Sequence, residues 1–333
     1  MPRRDSSLVL GSDRFVIGAN LPWVDYGTDI GTSAWHPRGG LSARPAALER
    51  LDRTFAALSG DGVSIVRTFL LCDLRSGARF DDNGVPTALD EAVMPDLDAL
   101  VAAARRHGVG LIPVLLDFHL CKRARIVNEV QLGGRARLLT DSAARNALVD
   151  IVIRPIVERY GDNETIVAWD VMNEPEWCLA SGRFRLRQGV PFDVLHAFLD
   201  QAVRCVHESA RQPVTVGCAN TERLDLVKPL GLDFYQVHWY EHFGWPALER
   251  PVADLGLGDR PVILGEFPGR SERVADVLDA AARAGYTGAL IWSVLAGDDQ
   301  SAYRADLVSP SASAQTARPH PVRPTGRGRR RRE

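Results

Sequence analysis

Several features that would point to other kinds of protein are scarce or missing in this chain of 333 residues. No apolar run approaches the roughly 18 residues of a membrane helix, so we predict no membrane span. The five cysteines include no Cys-x-x-Cys pair, and an odd, dispersed set favours reduced thiols over a disulfide framework. Lysine occurs only at Lys122 and Lys228, neither on a predicted strand, which disfavours a Schiff-base lyase.

The charge balance narrows the choice of partners. The formal net charge is −2, but residues 309–333 hold seven arginines and one glutamate, so residues 1–308 carry −8. An acidic body argues against nucleic-acid binding. The apolar residues 8–10 are too few for a signal peptide, which predicts a cytoplasmic protein unless an export signal has been removed. The Pro/Ser/Arg-rich composition of residues 308–333 predicts a disordered tail.

Short β-rich runs alternate with amphipathic segments along the chain. Strands are predicted at residues 14–20, 63–70, 109–117, 165–173, 213–219, 232–239, 261–266 and 287–293. Helices are predicted near residues 45–59, 92–107, 141–160, 191–211, 220–229, 246–255 and 270–284. Eight strands, with no Gly-x-Gly-x-x-Gly motif after the first, predict an α/β fold with a closed (β/α)8 barrel over residues 1–307. The eighth helix should be short or missing, because only residues 300–307 remain for it.

The most informative segment is an apolar strand that ends in Trp-Asp-Val-Met-Asn-Glu-Pro at residues 169–175. Proline cannot donate to a strand ladder, so the strand should stop there and present Asn173 and Glu174 at its carboxyl end. A second apolar strand ends in Glu266. Parallel barrel strands bring both carboxylates to one mouth, an arrangement suited to glycoside hydrolysis.

Other polar and aromatic residues are predicted at the same mouth. The candidates for substrate contact are Asn20, Trp23, Arg67, His119, Asn173, Trp177, His238, Tyr240 and Trp292. Arg67, if it reaches Glu266, would keep that carboxylate ionised, and Tyr240 could orient it by a hydrogen bond. Indole rings suit the apolar faces of sugars. Asp117 is expected to orient a neighbour rather than to touch sugar.

Together these residues resemble a known family. The Arg-Tyr-Gly-Asp and Ile-Val-Ala-Trp-Asp-Val-Met-Asn-Glu-Pro sequences within residues 159–175 resemble the fourth-strand signature of clan A glycoside hydrolases, most closely family 5, the cellulase and mannanase family. The family's other site positions are matched in order by Arg67, His119, His238, Tyr240, Glu266 and Trp292. The resemblance covers residues 14–300. It implies a retaining β-glycosidase, with Glu174 as acid/base and Glu266 as nucleophile. The family spans many substrates, and we predict a β-linked oligo- or polysaccharide of the β-mannan or β-glucan type.

Alternatives remain open on the residues alone. A metal-dependent barrel hydrolase would use His119, His238 and the glutamates as ligands, although the chain has no His-x-His pair. A tailoring glycosidase or a transglycosylase would share the same covalent intermediate. We predict a hydrolase that uses no metal or organic cofactor and binds carbohydrate; its oligomeric state is left open by the sequence.

Overall fold

The computed structural model describes residues 15–180 and 189–303. Its strands, in chain order, are β1 (Val16–Asn20), β2 (Ile65–Phe69), β3 (Ala78–Phe80), β4 (Pro86–Leu89), β5 (Gly110–Asp117), β6 (Arg125–Val127), β7 (Val130–Leu132), β8 (Trp169–Asn173), β9 (Val214–Cys218), β10 (Tyr235–His238), β11 (Val262–Pro268) and β12 (Gly288–Trp292). β3–β4 and β6–β7 form separate antiparallel hairpins. The other eight strands close into a parallel barrel in which β12 pairs with β1, so the predicted (β/α)8 fold is confirmed.

Helices lie between the barrel strands. They are α1 (Pro45–Gly60), α2 (Val93–Arg106), α3 (Arg137–Thr140), α4 (Ser142–Ala147), α5 (Arg154–Tyr160), α6 (Phe192–Ser209), α7 (Trp245–Glu249) and α8 (Val274–Ala284). A π-helical stretch, Leu148–Ile153, joins α4 to α5 and makes one continuous helical segment there.

The structure corrects the sequence prediction in several places. Residues 220–229 form 3-10 turns at Leu224–Leu226 and Lys228–Leu230, because Pro229 lacks the N–H that an α-helix needs. The two hairpins, β3–β4 and β6–β7, were not predicted. Residues 293–303 contain no helix; residues 304–307 and the predicted tail lie outside the described residues.

An apolar layer fills the lower part of the barrel. Its members, drawn from strands around the barrel or from residues just before them, are Ile65, Ile112, Ala168, Phe234, Ile263 and Leu290. Each is at most 6% exposed. Since side chains alternate along a strand, the next inward positions above Ile65 and Ala168 are Arg67 and Asp170. The polar centre therefore lies directly on a closed, apolar floor.

Irregular strand pairing re-aims two residues at the barrel mouth. Glu266 and Asn173 each lie an odd number of positions from the inward residues Ile263 and Asp170, so a regular strand would point them outward. The pairing register shifts between Leu264 and Phe267, and again between Asp170 and Asn173. Such shifts redirect a side chain, and here they turn a carboxylate and an amide toward the cavity.

Within the described residues, no helix is both long and apolar enough to cross a bilayer. All five cysteines are buried and unpaired.

The connection from β1 to α1 brings aromatic residues to the mouth, and a buried carboxylate holds it. Asp96 of α2 is fully buried and accepts hydrogen bonds from the N–H groups of Gly31, Gly40 and Ser42, at 2.8, 2.9 and 2.7 Å. The Ser42 hydroxyl donates to it as well, at 2.5 Å. One side chain thus fixes the loop that carries Trp23 and Tyr26.

Asp96→Ala should therefore lower the free energy of unfolding by at least about 2 kcal/mol, because the buried N–H groups of Gly31 and Gly40 lose their charged acceptor. Chemical denaturation followed by tryptophan fluorescence measures this. Asp98→Ala is the matched control on the same helix: its side chain is 49% exposed, and the change should cost about 1 kcal/mol or less. Equal losses in the two variants would contradict the proposed anchoring.

Candidate active site

A cavity of about 540 Å³ opens at the carboxyl ends of the barrel strands. Acidic, amide and aromatic side chains line it together, among them Asp117, Asn173, Glu174, Tyr240, Glu266 and Trp292. This is the mouth at which (β/α)8 barrels carry their active sites.

The two predicted glutamates meet in this cavity. One carboxylate oxygen of Glu174 and one of Glu266 lie within 4.8 Å of each other. Retaining glycosidases hold their carboxyl groups about 5–5.5 Å apart, whereas inverting enzymes need roughly 6.5–9.5 Å to seat a water. The separation therefore fits direct attack on a sugar by one of the two groups.

The backbone at Glu174 is left-handed, with φ 48° and ψ 52°. This conformation is unfavourable for a residue with a Cβ and is usually found where function requires it. The Glu174 N–H donates to the Gly217 carbonyl at 2.6 Å, and Pro175 then begins a short 3-10 turn. The sharp change of direction turns the Glu174 side chain into the cavity instead of along the strand.

Arg67 is the centre of the buried polar network. It is 0% exposed and donates to Asp170 through Nε at 2.9 Å and to Glu266 Oε1 through Nη1 at 2.7 Å. It also donates to the side-chain oxygens of Asn20 and Asn173, at 3.1 and 2.7 Å. Burial acts to lower the pKa of Arg67, but Asp170 and Glu266 reverse this and raise it. The guanidinium is therefore a permanent cation beneath the cavity.

Asn173 has its amide orientation fixed from both sides. Its oxygen accepts from Arg67, and its Nδ2 donates to Asp117 Oδ2 at 2.9 Å. Asp117 also accepts from the N–H and the ring of His119. Although burial opposes it, His119 holds the pKa of Asp117 below its usual value. Asp117 thus orients its neighbours, as the sequence suggested, and keeps a negative charge at the cavity wall.

His238 lies between the two glutamates. Its Nδ1 is 2.8 Å from Glu174 Oε1 and 3.4 Å from Glu266 Oε2. Burial lowers the pKa of this histidine to about 4, so the ring is neutral at ordinary pH. Its Nε2 is buried without a hydrogen-bond partner among the described residues. When the neutral ring carries its one proton on Nδ1, it can donate toward the two carboxyl groups and align them without adding a charge.

Glu266 is held at both oxygens. Besides Arg67 at Oε1, the Tyr240 hydroxyl donates to Oε2 at 2.6 Å. Burial raises the pKa of Glu266, while the charge of Arg67 and the hydrogen bond from Tyr240 act to lower it. Two donors on one carboxylate favour its ionised form and fix its direction.

Glu174 has a different environment. Burial first, and then the negative charge of Asp117, raise its pKa to about 7, although Arg67 opposes this. Glu176, which lies beyond the proline, accepts from the Ala219 N–H at 3.0 Å, and burial raises its pKa to about 8. Glu176 does not line the cavity, so Glu174 is the carboxyl group placed to donate a proton there.

Aromatic side chains form two groups along the cavity. Trp23 and Phe69 meet edge to face with ring centroids 5.3 Å apart, and Trp292 lies 6.1 Å beyond Phe69. In the second group, Phe118 and Trp177 have centroids 6.1 Å apart. Nε1 of Trp23, a residue only 9% exposed, has no partner among the described residues. Such surfaces suit stacking on sugar rings, with an indole N–H left to donate to a hydroxyl.

Most of the residues predicted to contact substrate line this cavity: Trp23, His119, Asn173, Trp177, Tyr240 and Trp292. Asn20, Arg67 and His238 do not; they are at most 2% exposed and lie behind the wall. Asn20 donates to the Gly265 carbonyl at 2.9 Å and so ties β1 to β11. These three residues support the cavity rather than forming its surface.

Sequence reasoning missed three polar residues of the site. Asp170 of β8 accepts from Arg67, and Gln236 of β10 donates to Asp170. Inward alternation from Ala168 would have placed Asp170 there. The third is Asp298, in the segment that follows β12. Its carboxylate accepts from Trp292 Nε1 at 3.0 Å and from the Ser301 hydroxyl at 2.7 Å, which fixes the indole at the mouth.

Two clusters of described residues have ligand atoms close enough to share a metal ion. One is Cys72, Asp117 and His119; the other is Glu174, His238 and Glu266. The second cluster contains both glutamates of the carboxyl pair. Experiment therefore has to distinguish a metal-assisted reaction from one that uses the carboxyl groups alone.

The comparisons with known proteins agree with this geometry. Residues 41–183 match the model of the family described as cellulase (glycosyl hydrolase family 5). A mannan endo-1,4-beta-mannosidase of Mytilus edulis is 26% identical over 329 residues, covering 85% of this chain and 84% of that protein. A second, of Cryptopygus antarcticus, is 24% identical and covers 87% and 83%.

Solved structures show the same fold. The crystal structure of an endo-1,4-beta-mannanase from Eisenia fetida superposes with a TM-score of 0.70 at 21% identity, covering 92% of this chain and 91% of that one. A beta-1,4-D-mannanase from Cryptopygus antarcticus gives 0.71 at 21% identity, with 91% and 90% covered. The family match, the relatives and the fold agree: the chain is similar to the clan A glycoside hydrolases, most closely to family 5, and it is a glycosidase of the retaining type.

Proposed function

We propose that the chain hydrolyses internal β-1,4 linkages of a mannan-type polysaccharide by double displacement, with Glu266 as nucleophile and Glu174 as acid/base. The observation that carries this proposal is the pair of carboxyl groups within 4.8 Å in unequal environments. Two donors, Arg67 and Tyr240, hold Glu266 in its ionised form. Burial and a neighbouring negative charge keep the proton on Glu174.

In the first step, Glu266 attacks the anomeric carbon while Glu174 donates its proton to the leaving oxygen. The C–O bond to the leaving sugar breaks as the bond to the Glu266 carboxylate forms. The Asn173 Nδ2 retains a second hydrogen beyond the one given to Asp117 and is placed to donate to a sugar hydroxyl. In the second step, Glu174, now ionised, removes a proton from water, which displaces Glu266 and restores the original configuration.

The substrate assignment rests on the relatives and on the cavity. The curated relatives are named mannan endo-1,4-beta-mannosidases. Two separate aromatic groups on the cavity wall suit a chain of several sugar rings, as endo action requires. Digestion of β-mannan, mixed glucomannan and β-glucan, with chromatography of early products, tests this. Internal cleavage of mannan is expected; release of single sugars, or a preference for small-molecule glycosides, would contradict it.

Labelling and product configuration test the mechanism. The intact enzyme should give a product of retained configuration, and a 2-deoxy-2-fluoro glycoside should label Glu266, because the fluorine slows breakdown of the covalent intermediate. Glu266→Ala should abolish hydrolysis, and azide should restore turnover with inverted product. Exhaustive chelation should leave native activity unchanged. Inverted native product, or activity lost on chelation and restored by a divalent metal, would favour a different mechanism.

The dependence of kcat/KM on pH follows from the two carboxyl groups. Activity needs Glu174 protonated, so it should fall as pH rises through the Glu174 pKa of about 7. It also needs Glu266 ionised, so it should fall again as pH drops through the pKa of that group. In Glu174→Ala, assayed with an aryl glycoside whose leaving group needs no proton, the alkaline fall should disappear. An alkaline fall that persists would assign it to another residue.

Tyr240→Phe should reduce kcat by roughly 10- to 100-fold with little change in KM, because the nucleophile loses a donor that fixes its direction. Tyr235→Phe is the matched control on the preceding strand, since its hydroxyl bonds the Lys228 carbonyl at 3.4 Å, outside the cavity. Steady-state kinetics of both variants provide the measurement. A rise in KM at constant kcat would mean that Tyr240 binds sugar instead.

A further inference from the structure

Asp170 is a fully buried carboxylate that the mechanism above does not use. It lies on β8 and accepts three hydrogen bonds: from Arg67 Nε at 2.9 Å, from Gln236 Nε2 at 2.6 Å and from the Gly217 N–H at 3.1 Å. It does not line the cavity, so it has no direct access to substrate.

Asp170 and Glu266 share one cation. Arg67 directs Nε toward Asp170 and Nη1 toward Glu266, so each carboxylate takes a different edge of the same guanidinium. Glu266 is attracted by the positive charge of Arg67 and repelled by the negative charge of Asp170, so the net electrostatic potential at Glu266 depends on both groups. With Asp170 ionised, Glu266 stays oriented by Arg67 without facing an uncompensated positive charge.

We propose that Asp170 is a positioning residue that acts through Arg67: its charge holds the guanidinium in place and keeps the Glu266 carboxylate reactive toward the anomeric carbon. This inference rests on the proposed function, in which Glu266 is the nucleophile.

The backbone around Asp170 leaves room for this network. A Cβ at Gly217 would lie 2.7 Å from both Arg67 Nη2 and Gln236 Nε2, and 3.0 Å from Asp170 Oδ2. A Cβ at Gly265 would lie 2.3 Å from the Gln236 side chain. Two strands thus have no side chain where the network needs space, and the tips of Gln236 and Arg67 lie side by side.

The effect of removing the Asp170 charge on Glu266 depends on the other titratable and charged groups around Glu266. Arg67 faces Glu266 from β2, Glu174 from the end of β8, and His238 and Tyr240 from β10 and the residues after it. Arg67 is the permanent cation among them, and His238 is neutral above about pH 4. Removing the Asp170 charge therefore leaves Glu266 alone against Arg67, which stabilises its ionised form and weakens it as a nucleophile.

The test uses the whole chain and three variants: Asp170→Asn, Gln236→Met and the exchange Asp170→Asn/Gln236→Glu. For Asp170→Asn, kcat/KM should fall about 10- to 100-fold. The acid limb of its pH profile, which is the fall of kcat/KM toward low pH, should also move to lower pH by about one unit, because the Glu266 pKa falls. Gln236→Met perturbs the same buried network without changing its charge and should leave the acid limb in place.

The exchange variant returns a carboxylate to the network across the 2.6 Å Asp170–Gln236 contact, next to Arg67. It should restore the acid limb to its native position and recover most of the lost kcat/KM. Disrupted packing alone would not be repaired in this way. If Asp170→Asn does not fold, the exchange variant decides alone, and a native limb in it supports the proposal.

The proposal is overturned if Asp170→Asn and Gln236→Met show the same limb, if the exchange variant folds without restoring it, or if neither of the two variants that carry Asp170→Asn folds. Labelling of the native enzyme by the 2-deoxy-2-fluoro glycoside is measured first. Label at a residue other than Glu266 would reject the proposed function itself, so the two failures remain distinct.

Discussion

The buried positive charge of Arg67 is the constraint on which the rest of the site depends. Moving an ion of this kind out of water costs several kcal/mol unless it is paired and fully hydrogen-bonded. The chain meets this demand with acceptors from different parts of the barrel: Asn20 on β1, Asp170 and Asn173 on β8, and Glu266 on β11. One cation thereby ties together strands distant in sequence and fixes the amide and carboxylate that face the substrate.

The same arrangement makes the two glutamates chemically different. Glu266 takes a bond from Arg67 and another from Tyr240, whereas Glu174 is close to neutral His238 and to the charge of Asp117. Attraction to a cation stabilises an ionised carboxylate, and burial beside an anion stabilises a protonated one. Acid and nucleophile are thus separated by environment and not by residue type.

Much of the fold could be predicted because buried parallel strands appear in the sequence as short apolar runs. All eight barrel strands were predicted to within a few residues of their observed bounds. The positions of Glu174 and Glu266 could be predicted because a proline marks the end of each strand: Pro175 directly follows Glu174, and β11 ends at Pro268, two residues after Glu266. What could not be predicted depends on register. The shifts near Asp170 and Glu266 decide which side chains face inward, and no local pattern encodes them. The contact between Arg67 and Glu266 was predicted and is confirmed, but the burial of Asn20 and Arg67 behind the cavity wall depends on tertiary contacts that the sequence does not show.

The cluster also carries more negative than positive charge. Asp170 and Glu266 are both buried against the single guanidinium of Arg67, and each added anion raises the cost of ionising the next. This surplus is unfavourable for the folded chain on its own. In glycoside hydrolysis, however, the sugar develops positive charge as the bond to the leaving oxygen breaks. A fixed surplus of negative charge beneath the cavity interacts more strongly with that transition state than with the neutral sugar. Stronger binding of the transition state than of the substrate is what lowers the barrier. The excess negative charge that destabilises the folded chain is thus opposite in sign to the charge that develops on the sugar during the reaction.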